Sequence, residues 1–317
     1  NDAVTNKRSV YYESINNKIE SEFAVWESST LTPIFDEEGQ LKKIIIIDTD
    51  VSEAKRQEQI IVQKNKDITD SIAYARKIQT AILPATHLIQ HYLPKSLILY
   101  MTKDIVSGDF YWFTHFEGFS IIAAVDCTGH GVPGAFMSLI GYNLLNRIIN
   151  ENKITDPKEI LLELNKGVIG VLHKNESESK DGMDIAICKI NHSQKTLEYS
   201  GAMRPIWIVN NGELTEIKAD KIPIGTKQKD RDDTIAFTTH TFELGKGDSF
   251  YIFTDGFADQ FGGEKDKKYS TGRFKNLILA NSNLDCETQE KNIREDHLAW
   301  KKNNEQVDDI LLIGFTI

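Results

Sequence analysis

Aspartates stand at the ends of predicted strands at four separate places in the sequence. The set is Asp109, Asp126, Asp255 and the pair Asp308-Asp309. The clearest case is Asp126, which follows the apolar run 121–125 and precedes a glycine-bracketed turn and a helix that begins at Pro133. One such aspartate is more often a cap or turn residue. Because the pattern recurs, we expect these carboxylates to meet at one end of a sheet.

Clustered carboxylates of this kind predict a site for divalent cations. Like-charge repulsion and desolvation make a cluster of unpaired carboxylates costly. No run of arginine or lysine accompanies these aspartates in the sequence, so metal ions are the expected counter-ions. An all-oxygen ligand set favours Mg²⁺ or Mn²⁺ over zinc or copper. Two such ions about 4 Å apart that share a carboxylate are the usual means of activating water for attack on phosphorus.

The bulk composition narrows the class of protein. With 317 residues, the chain has room for one large domain and a smaller module. The formal net charge of −10 argues against partners such as nucleic acid or an anionic membrane surface. No stretch reaches the roughly 18 consecutive apolar residues of a transmembrane helix. Three widely spaced cysteines form neither a disulfide framework nor a zinc pattern, which favours a cytoplasmic protein.

Residues 1–50 have the composition of a small β-rich module. Aromatic and β-branched residues mix in three short stretches, and the last of these, 43–48 (KIIIID), predicts a strand. The segments 26–28 (WES) and 32–35 (TPIF), followed by a hairpin and IIIIDTDVSE, resemble the closing half of a PAS sensor domain. We therefore expect 1–50 to be the C-terminal part of a PAS-like domain. An unrelated β-hairpin cap is the alternative.

Residues 51–83 are typical of a long helix, because they are highly charged and contain no glycine or proline before Pro84. Ten positions step by alternating threes and fours, the spacing of a coiled-coil seam. They are Val51, Ala54, Glu58, Ile61, Asn65, Ile68, Ile72, Ala75, Gln79 and Ile82. This spacing predicts a linker helix that forms a parallel homodimer. A single amphipathic helix that lies on its own domain is the alternative.

Residues 84–317 predict an α+β fold in which an antiparallel β-sandwich is flanked by helices. Many short strands follow two early helices, which is unlike the regular alternation of a parallel doubly wound sheet. A further helical stretch, from about Arg273 to Lys301, precedes the last predicted strand.

Four motifs carry a resemblance to a known family. They are SGDFYWF from Ser107, VDCTGHGVPGAFMS from Val125, FTDG from Phe253 and VDDILL from Val307. In this order and spacing they resemble the SpoIIE-like branch of the metal-dependent protein phosphatases, the protein phosphatase 2C class. The preceding ARKIQTAILP looks like the helix that enters that domain, so that the resemblance spans about 73–317. It implies a β-sandwich with helices, a dinuclear Mn²⁺/Mg²⁺ site, and hydrolysis of phosphoserine or phosphothreonine on a protein.

The resemblance also implies roles for individual residues. Asp126 corresponds to the ligand that bridges two ions, with the carbonyl of Cys127 beside it. Asp255 and Asp308 correspond to ligands of the second ion, and Asp109 anchors the cluster, so that Asp109 and Asp126 are the candidate catalytic carboxylates.

Other candidates match the family less closely. Asp309 falls where the wider family often has asparagine, and Asp181 and Asp184 lie where a third metal site can form. The phosphate-binding arginine of the eukaryotic members has no clear counterpart. Arg204 and Lys103 are the candidate substitutes, with a solvated surface residue as the alternative for each. His130 lies four residues after Asp126 instead of directly after an Asp-Gly pair, so a turn-stabilising histidine is its expected role.

Two hypotheses about function follow. The first is a Mn²⁺- or Mg²⁺-dependent protein-serine/threonine phosphatase of bacterial signalling, regulated through the N-terminal module and the linker helix. The resemblance suggests a phosphorylated anti-sigma-factor antagonist as its substrate. The alternative is a non-catalytic, phosphatase-like scaffold that binds a partner protein. Retention of Asp109, Asp126, Asp255 and Asp308 favours the enzyme.

Overall fold

The computed structural model describes residues 2–16, 25–172, 181–225 and 236–317. The chain divides into two compact units, Asn1–Ser71 and Ile72–Ile317. In the described residues, no helix is both long and apolar enough to cross a membrane.

The first unit contains a three-stranded antiparallel sheet. After a short helix, the strands pair in the order β1-β2-β3. These elements are α1 (Asp2–Thr5), β1 (Val10–Asn16), β2 (Val25–Phe35) and β3 (Leu41–Asp50). The predicted strand at 43–48 lies within β3, and its four isoleucines, Ile44 to Ile47, are all exposed. The PAS-like assignment stays a prediction.

A single helix, α2 (Ser52–Ile82), follows the sheet. Its first turn is fixed by Asp50, whose Oδ1 accepts a hydrogen bond from the Ser52 N–H at 2.9 Å. Ile61 and Ile68, two of the predicted seam residues, are more than half exposed, at 57% and 59%. Dimerisation through this helix stays a prediction.

Gln79 differs from the other predicted seam residues, because it is buried within the second unit. Its Nε2 donates to the Ser107 carbonyl (2.6 Å) and to Ser138 Oγ (2.9 Å), and its Oε1 accepts from the Ser107 N–H (3.1 Å). The seam prediction is wrong at this position. A buried amide needs partners, and Gln79 finds them in its own chain rather than in a second helix.

The rest of the second unit is built from strands with helices between them. In chain order the elements are α3 (Thr86–Tyr92), β4 (Ser96–Met101), β5 (Phe110–Phe116), β6 (Phe119–Cys127), α4 (Gly131–Leu145), α5 (Pro157–Leu172), β7 (Met183–Asn191), β8 (Thr196–Ala202), β9 (Ile206–Asn210), β10 (Glu213–Ile217), β11 (His240–Glu243), β12 (Ser249–Phe253), α6 (Gly256–Asp259), β13 (Phe261–Gly262), β14 (Lys267–Lys268), α7 (Thr271–Asn281), α8 (Cys286–Lys301) and β15 (Ile310–Thr316). Helix α4 continues into a π-helical turn, Asn146–Glu151.

Two five-stranded sheets form the predicted antiparallel sandwich. One has the strand order β10-β9-β12-β15-β4 and the other β11-β8-β7-β6-β5, and every neighbouring pair is antiparallel. The fold class expected from the sequence is confirmed.

Both faces of each sheet are covered, which explains the continuous apolar runs of the central strands. In β6, Ile122 and Ala124 pack in the core between the two sheets. Their neighbours Ile121 and Ala123 pack in the core beneath α4 and α5. The second sheet packs its other face on α7 and α8, and Phe274 lies in that core. Successive residues of one strand thus serve two cores, so hydrophobic alternation disappears.

The helical stretch expected over 273–301 is two helices. Helix α7 ends at Asn281, and α8 begins at Cys286. Asp285 separates them as the N-cap of α8, and its Oδ1 accepts from the Thr288 N–H at 2.9 Å. An aspartate with this cap function begins a new helix, which hydrophobic spacing alone does not reveal.

Candidate functional site

Strand register places the predicted carboxylates at one end of the sandwich. In the β6–β7 ladder Asp126 is paired directly with Asp184, and in the β5–β6 ladder Phe110 is paired with Val125, so Asp109 comes next to Asp126. In the other sheet Phe253 is paired with Leu312, so Asp255 leaves β12 at the end where β15 begins. Antiparallel pairing therefore gathers Asp109, Asp126 and Asp184 at one end of one sheet, and Asp255 and Asp308 at one end of the other.

Arg204 lies at the centre of this group and links the two sheets. Its Nη2 lies 2.7 Å from Asp255 Oδ2, 2.9 Å from Asp126 Oδ2 and 3.1 Å from Asp184 Oδ2. Only 15% of the Arg204 side chain is exposed, so the solvated-surface alternative from the sequence is wrong for this residue. One guanidinium group neutralises part of the charge of three carboxylates.

The backbone around Arg204 is held firmly. The Tyr199 hydroxyl donates to the Arg204 carbonyl at 2.6 Å, and the Arg204 N–H donates to the Ala202 carbonyl at 2.8 Å. Met203 between them adopts a φ of 65°, in the left-handed region that non-glycine residues seldom occupy. This tight turn after β8 directs Arg204 towards the acidic group. The sequence offers only the short GAMRP segment as a signal for it.

Burial and crowding raise the pKa of the carboxyl groups at this site. Burial raises the pKa of Asp126 to about 7, with Asp255 and Asp184 adding to the effect and Arg204 opposing it. Burial, followed by the charge of Asp126, holds the pKa of Asp109 well above its ordinary value. Among the described residues, Asp109 Oδ2 has no hydrogen-bond partner, although the side chain is only 2% exposed. These pKa shifts follow from burial and from the mutual repulsion of the carboxylates.

The two aspartates of the pair before β15 have different partners. Asp309 is buried, and its Oδ1 and Oδ2 accept from the N–H groups of Lys103 and Gly108, each at 2.7 Å. Asp308 is half-buried, and its Oδ1 accepts from the Asp309 N–H at 2.8 Å. Burial raises the pKa of Asp308 as well. Asp309 is thus engaged in holding two loops, a role that the sequence did not predict.

Glycines allow three backbone segments to approach one another beside the carboxylates. A Cβ on Gly108 would lie 2.4 Å from the Gly129 carbonyl oxygen and 3.4 Å from that of Cys127. A Cβ on Gly134, in α4, would lie 2.2 Å from the same Gly129 oxygen. The loop before Asp109, the turn after Cys127 and the start of α4 therefore form one closely packed unit that fixes Asp109 and Cys127.

Lys103, His130 and Asp104 form a hydrogen-bonded chain at the exposed rim. Lys103 Nζ lies 2.9 Å from His130 Nε2, and His130 Nδ1 lies 2.6 Å from Asp104 Oδ2. The ammonium group can only donate, so Nε2 accepts and Nδ1–H donates to Asp104. His130 thereby links two loops, in line with the expected turn-stabilising role. Asp104 was not predicted to belong to the site.

Asp181 differs from Asp184 in that it forms no ion pair with Arg204 in the described residues. It is exposed and lies two residues before β7. Only Asp184 of the two third-site candidates is brought to the central group.

The donor set suits a hard divalent cation, although the side chains are not arranged around one. Over residues 2–16, 25–172, 181–225 and 236–317, no group of three or more His, Cys, Asp or Glu side chains is positioned to hold a metal ion. Arg204 stands among three of the carboxylates instead. Carboxylate oxygens are the ligand type that hard divalent cations prefer.

Comparison with known proteins decides the family. The family model of Stage II sporulation protein E (SpoIIE) matches residues 117–317. The chain belongs to the SpoIIE family. No curated protein sequence matches it. The family predicted from the four motifs is therefore confirmed.

Solved structures of SpoIIE-like and related domains share this fold. The SiaA-PP2C domain of Pseudomonas aeruginosa is 28% identical, with a TM-score of 0.72 over 80% of this chain and 98% of that domain. The SpoIIE phosphatase domain with a regulatory fragment, from Bacillus subtilis, is 17% identical, with a TM-score of 0.55 over 70% of this chain and 63% of that one. The RsbU and RsbW domains of a Mycobacterium tuberculosis protein have the same identity and TM-score, over 70% of this chain and 59% of that one. Family and fold together indicate a protein phosphatase of the PP2C type.

Proposed function

We propose that the protein hydrolyses phosphoserine or phosphothreonine on a protein substrate, with two Mn²⁺ or Mg²⁺ ions at the acidic end of the sandwich. The observation that carries the proposal is the convergence of Asp109, Asp126, Asp184 and Asp255, with raised pKa values for three of them, in a chain of the SpoIIE family. A scaffold that only binds a partner would gain nothing from crowding these carboxylates, because the crowding costs stability.

Each aspartate has a proposed role toward the ions. Asp126 would bridge the two ions, with the Cys127 carbonyl beside it, and Asp255 and Asp308 would hold the second. Asp109 would anchor the group through its unpartnered Oδ2. When bound, the ions supply Lewis acidity, which polarises phosphoryl oxygens and makes water a nucleophile at neutral pH.

Further residues would complete the site. Asp184, with Asp181 as a more distant contributor, would supply a third ion site. Asp309 would hold the loops that carry Lys103 and Gly108, so its role is to position rather than to ligate. Lys103, at the exposed rim, and Arg204, once released from its carboxylates, would bind the phosphate of the substrate.

We propose that the substrate is a phosphorylated protein of a bacterial signalling pathway, with an anti-sigma-factor antagonist as the first candidate. We also propose that the protein acts in the cytoplasm. The family supports this class of substrate. Nucleic acid and membrane surfaces are not proposed as partners, since the net charge of −10 would repel both.

We further propose that residues 1–50 are the end of a PAS-like sensor, that 51–83 form a dimeric linker and that 84–317 form the phosphatase domain. Gln79 supports the coupling, because a residue of the linker helix holds both Ser107, two positions before Asp109, and Ser138 of α4. A rotation of α2 about its axis would break these bonds and release the loop that carries Asp109.

The linker proposal is tested with Ile68→Asp, which places a charge on the predicted seam at an exposed position. Lys66→Asp, off the seam on the same helix, is the matched control. Sedimentation should give a dimer for the wild type and Lys66→Asp and a monomer for Ile68→Asp. A dimeric Ile68→Asp protein would contradict the linker proposal and leave the enzymatic proposal intact.

The enzymatic proposal is tested by hydrolysis of p-nitrophenyl phosphate and of a phosphoserine peptide with Mn²⁺, Mg²⁺ or EDTA. We expect activity only with a divalent ion and a loss of about 100-fold or more in Asp126→Asn. Asp259→Asn, at an exposed ion pair with Lys268, is the control that should retain activity. An absence of hydrolysis with every divalent ion would favour the non-catalytic scaffold.

A further inference from the structure

Arg204 occupies a place that is unusual for a substrate-binding residue. A guanidinium that binds the phosphate of a substrate is expected at the solvent-facing rim. Nη2 of Arg204 instead lies within 3.1 Å of three carboxylates, two from one sheet and one from the other. Two of these, Asp126 and Asp255, are proposed metal ligands, and Asp184 is proposed for the third ion.

The positively charged guanidinium of Arg204 takes the place that a metal ion would have among these carboxylates. Three charge-assisted contacts to one nitrogen make Arg204 the principal counter-ion of the cluster in the described residues. A divalent ion that binds the same three Oδ2 atoms would lie close to Nη2, and the two positive charges would repel each other. Metal binding and the three ion pairs therefore compete.

The surroundings of Arg204 fit a side chain that moves while its backbone stays fixed. The turn at Met203 and the Tyr199 hydroxyl hold its main chain, whereas no described residue accepts a hydrogen bond from its buried Nε. In the described part of the chain the ion pairs of the head group are those with the three carboxylates, and they weaken when the carboxylates bind another cation.

We propose that Arg204 is an intramolecular substitute for the metal ions, which stabilises the ion-free site and sets the metal concentration at which the enzyme loads. This inference rests on the proposed metal-dependent function. It predicts a thermodynamic linkage. The free energy by which the Arg204 ion pairs stabilise the ion-free form is the free energy by which they weaken the binding of Mn²⁺.

The test compares Arg204→Met with Arg294→Met in the full chain. Arg294 is the matched control, because it forms an ion pair with Glu290 on α8, away from the carboxylates. Isothermal titration calorimetry with Mn²⁺ measures affinity, and thermal unfolding in EDTA and in Mn²⁺ measures stability. We expect Arg204→Met to bind Mn²⁺ about 10-fold more tightly than the wild type. Its Tm should fall by about 5 °C or more in EDTA, where the carboxylates lose their counter-ion.

In saturating Mn²⁺ the Tm of Arg204→Met should return close to that of the wild type, and Arg294→Met should match the wild type throughout. If Arg204→Met binds Mn²⁺ no more tightly than the wild type while the wild type remains a metal-dependent hydrolase, the inference is wrong and the proposed function stands. If neither protein binds Mn²⁺ or Mg²⁺, both are wrong.

A measurement on the unmutated protein covers the case in which Arg204→Met fails to fold. The Nε–H signal of Arg204, assigned with Arg204→Lys, should appear as an immobilised side chain in EDTA and shift or broaden as diamagnetic Mg²⁺ is added. A signal that stays unchanged through saturation with Mg²⁺ would overturn the inference, because the guanidinium would not have left the carboxylates.

Discussion

Replacing Gly108 with alanine should damage catalysis through the backbone alone. A Cβ at this position would lie 2.4 Å from the Gly129 carbonyl oxygen, and an ordinary contact requires about 3.4 Å, so one of the two segments must move by about 1 Å. The moving segment carries either Asp109 or the Cys127 carbonyl, and both belong to the proposed metal site. A displacement of about 1 Å at a catalytic site can cost about 100-fold in rate.

The assay is Mn²⁺-dependent hydrolysis of p-nitrophenyl phosphate, with circular dichroism to establish that the variant folds. Gly170→Ala is the control, because a Cβ there meets nothing within 4 Å and the position is inside α5. We expect Gly108→Ala to lose about 100-fold in kcat, and Gly170→Ala to keep its activity with a stability gain of up to about 1 kcal/mol. A folded Gly108→Ala protein with kcat within about threefold of the wild type would refute the reasoning.

Two further predictions concern stability. Asp309→Ala removes the acceptors of the Lys103 and Gly108 N–H groups and should lower the free energy of unfolding by about 2 to 5 kcal/mol, whereas Asp309→Asn, which keeps one acceptor, should lower it by about half as much. Urea unfolding in EDTA measures both variants. An Asp309→Ala protein as stable as the wild type would contradict the positioning role. Burial lowers the pKa of His297 to about 4, so the folded form binds fewer protons than the unfolded form between pH 6.5 and 4, and stability falls as pH falls through this window. The free energy of unfolding at pH 5 should be about 2 kcal/mol lower than at pH 7.5 because of His297. The variant His297→Leu keeps the packing against Phe257 but has no titratable ring, so its stability should fall by about 2 kcal/mol less over the same pH range. Equal pH dependence in the two proteins would contradict the assignment.

The sequence predicted the features of the fold that depend on local pattern. The apolar run before Asp126, the glycine turn after it and the helix that follows are local signals, and the structure has a strand, a turn and α4 at these places. The α+β sandwich followed from the number of strands. Asp126 and Asp255 could be proposed as neighbours from the recurring pattern and the four motifs, although they lie at the ends of β6 and β12, which belong to different sheets.

The partners that depend on long-range packing could not be predicted in this way. Arg204 was placed with surface residues or phosphate binders, because nothing in GAMRP shows that the turn at Met203 directs a guanidinium into the acidic group. Gln79 had the spacing of a dimer seam, and only the tertiary fold brings Ser107 within reach of its amide. Asp309 and Asp308 are adjacent in sequence, and their different roles arise from loops about 200 residues away.

The most direct test of the central claim is an anomalous diffraction map from a crystal soaked in Mn²⁺. We expect at least two manganese peaks among Asp109, Asp126, Asp255 and Asp308, with the Arg204 guanidinium withdrawn from its three carboxylates. The absence of manganese at this end of the sandwich, with Arg204 still in contact with Asp126 and Asp255 in a protein that hydrolyses phosphoserine, would contradict it.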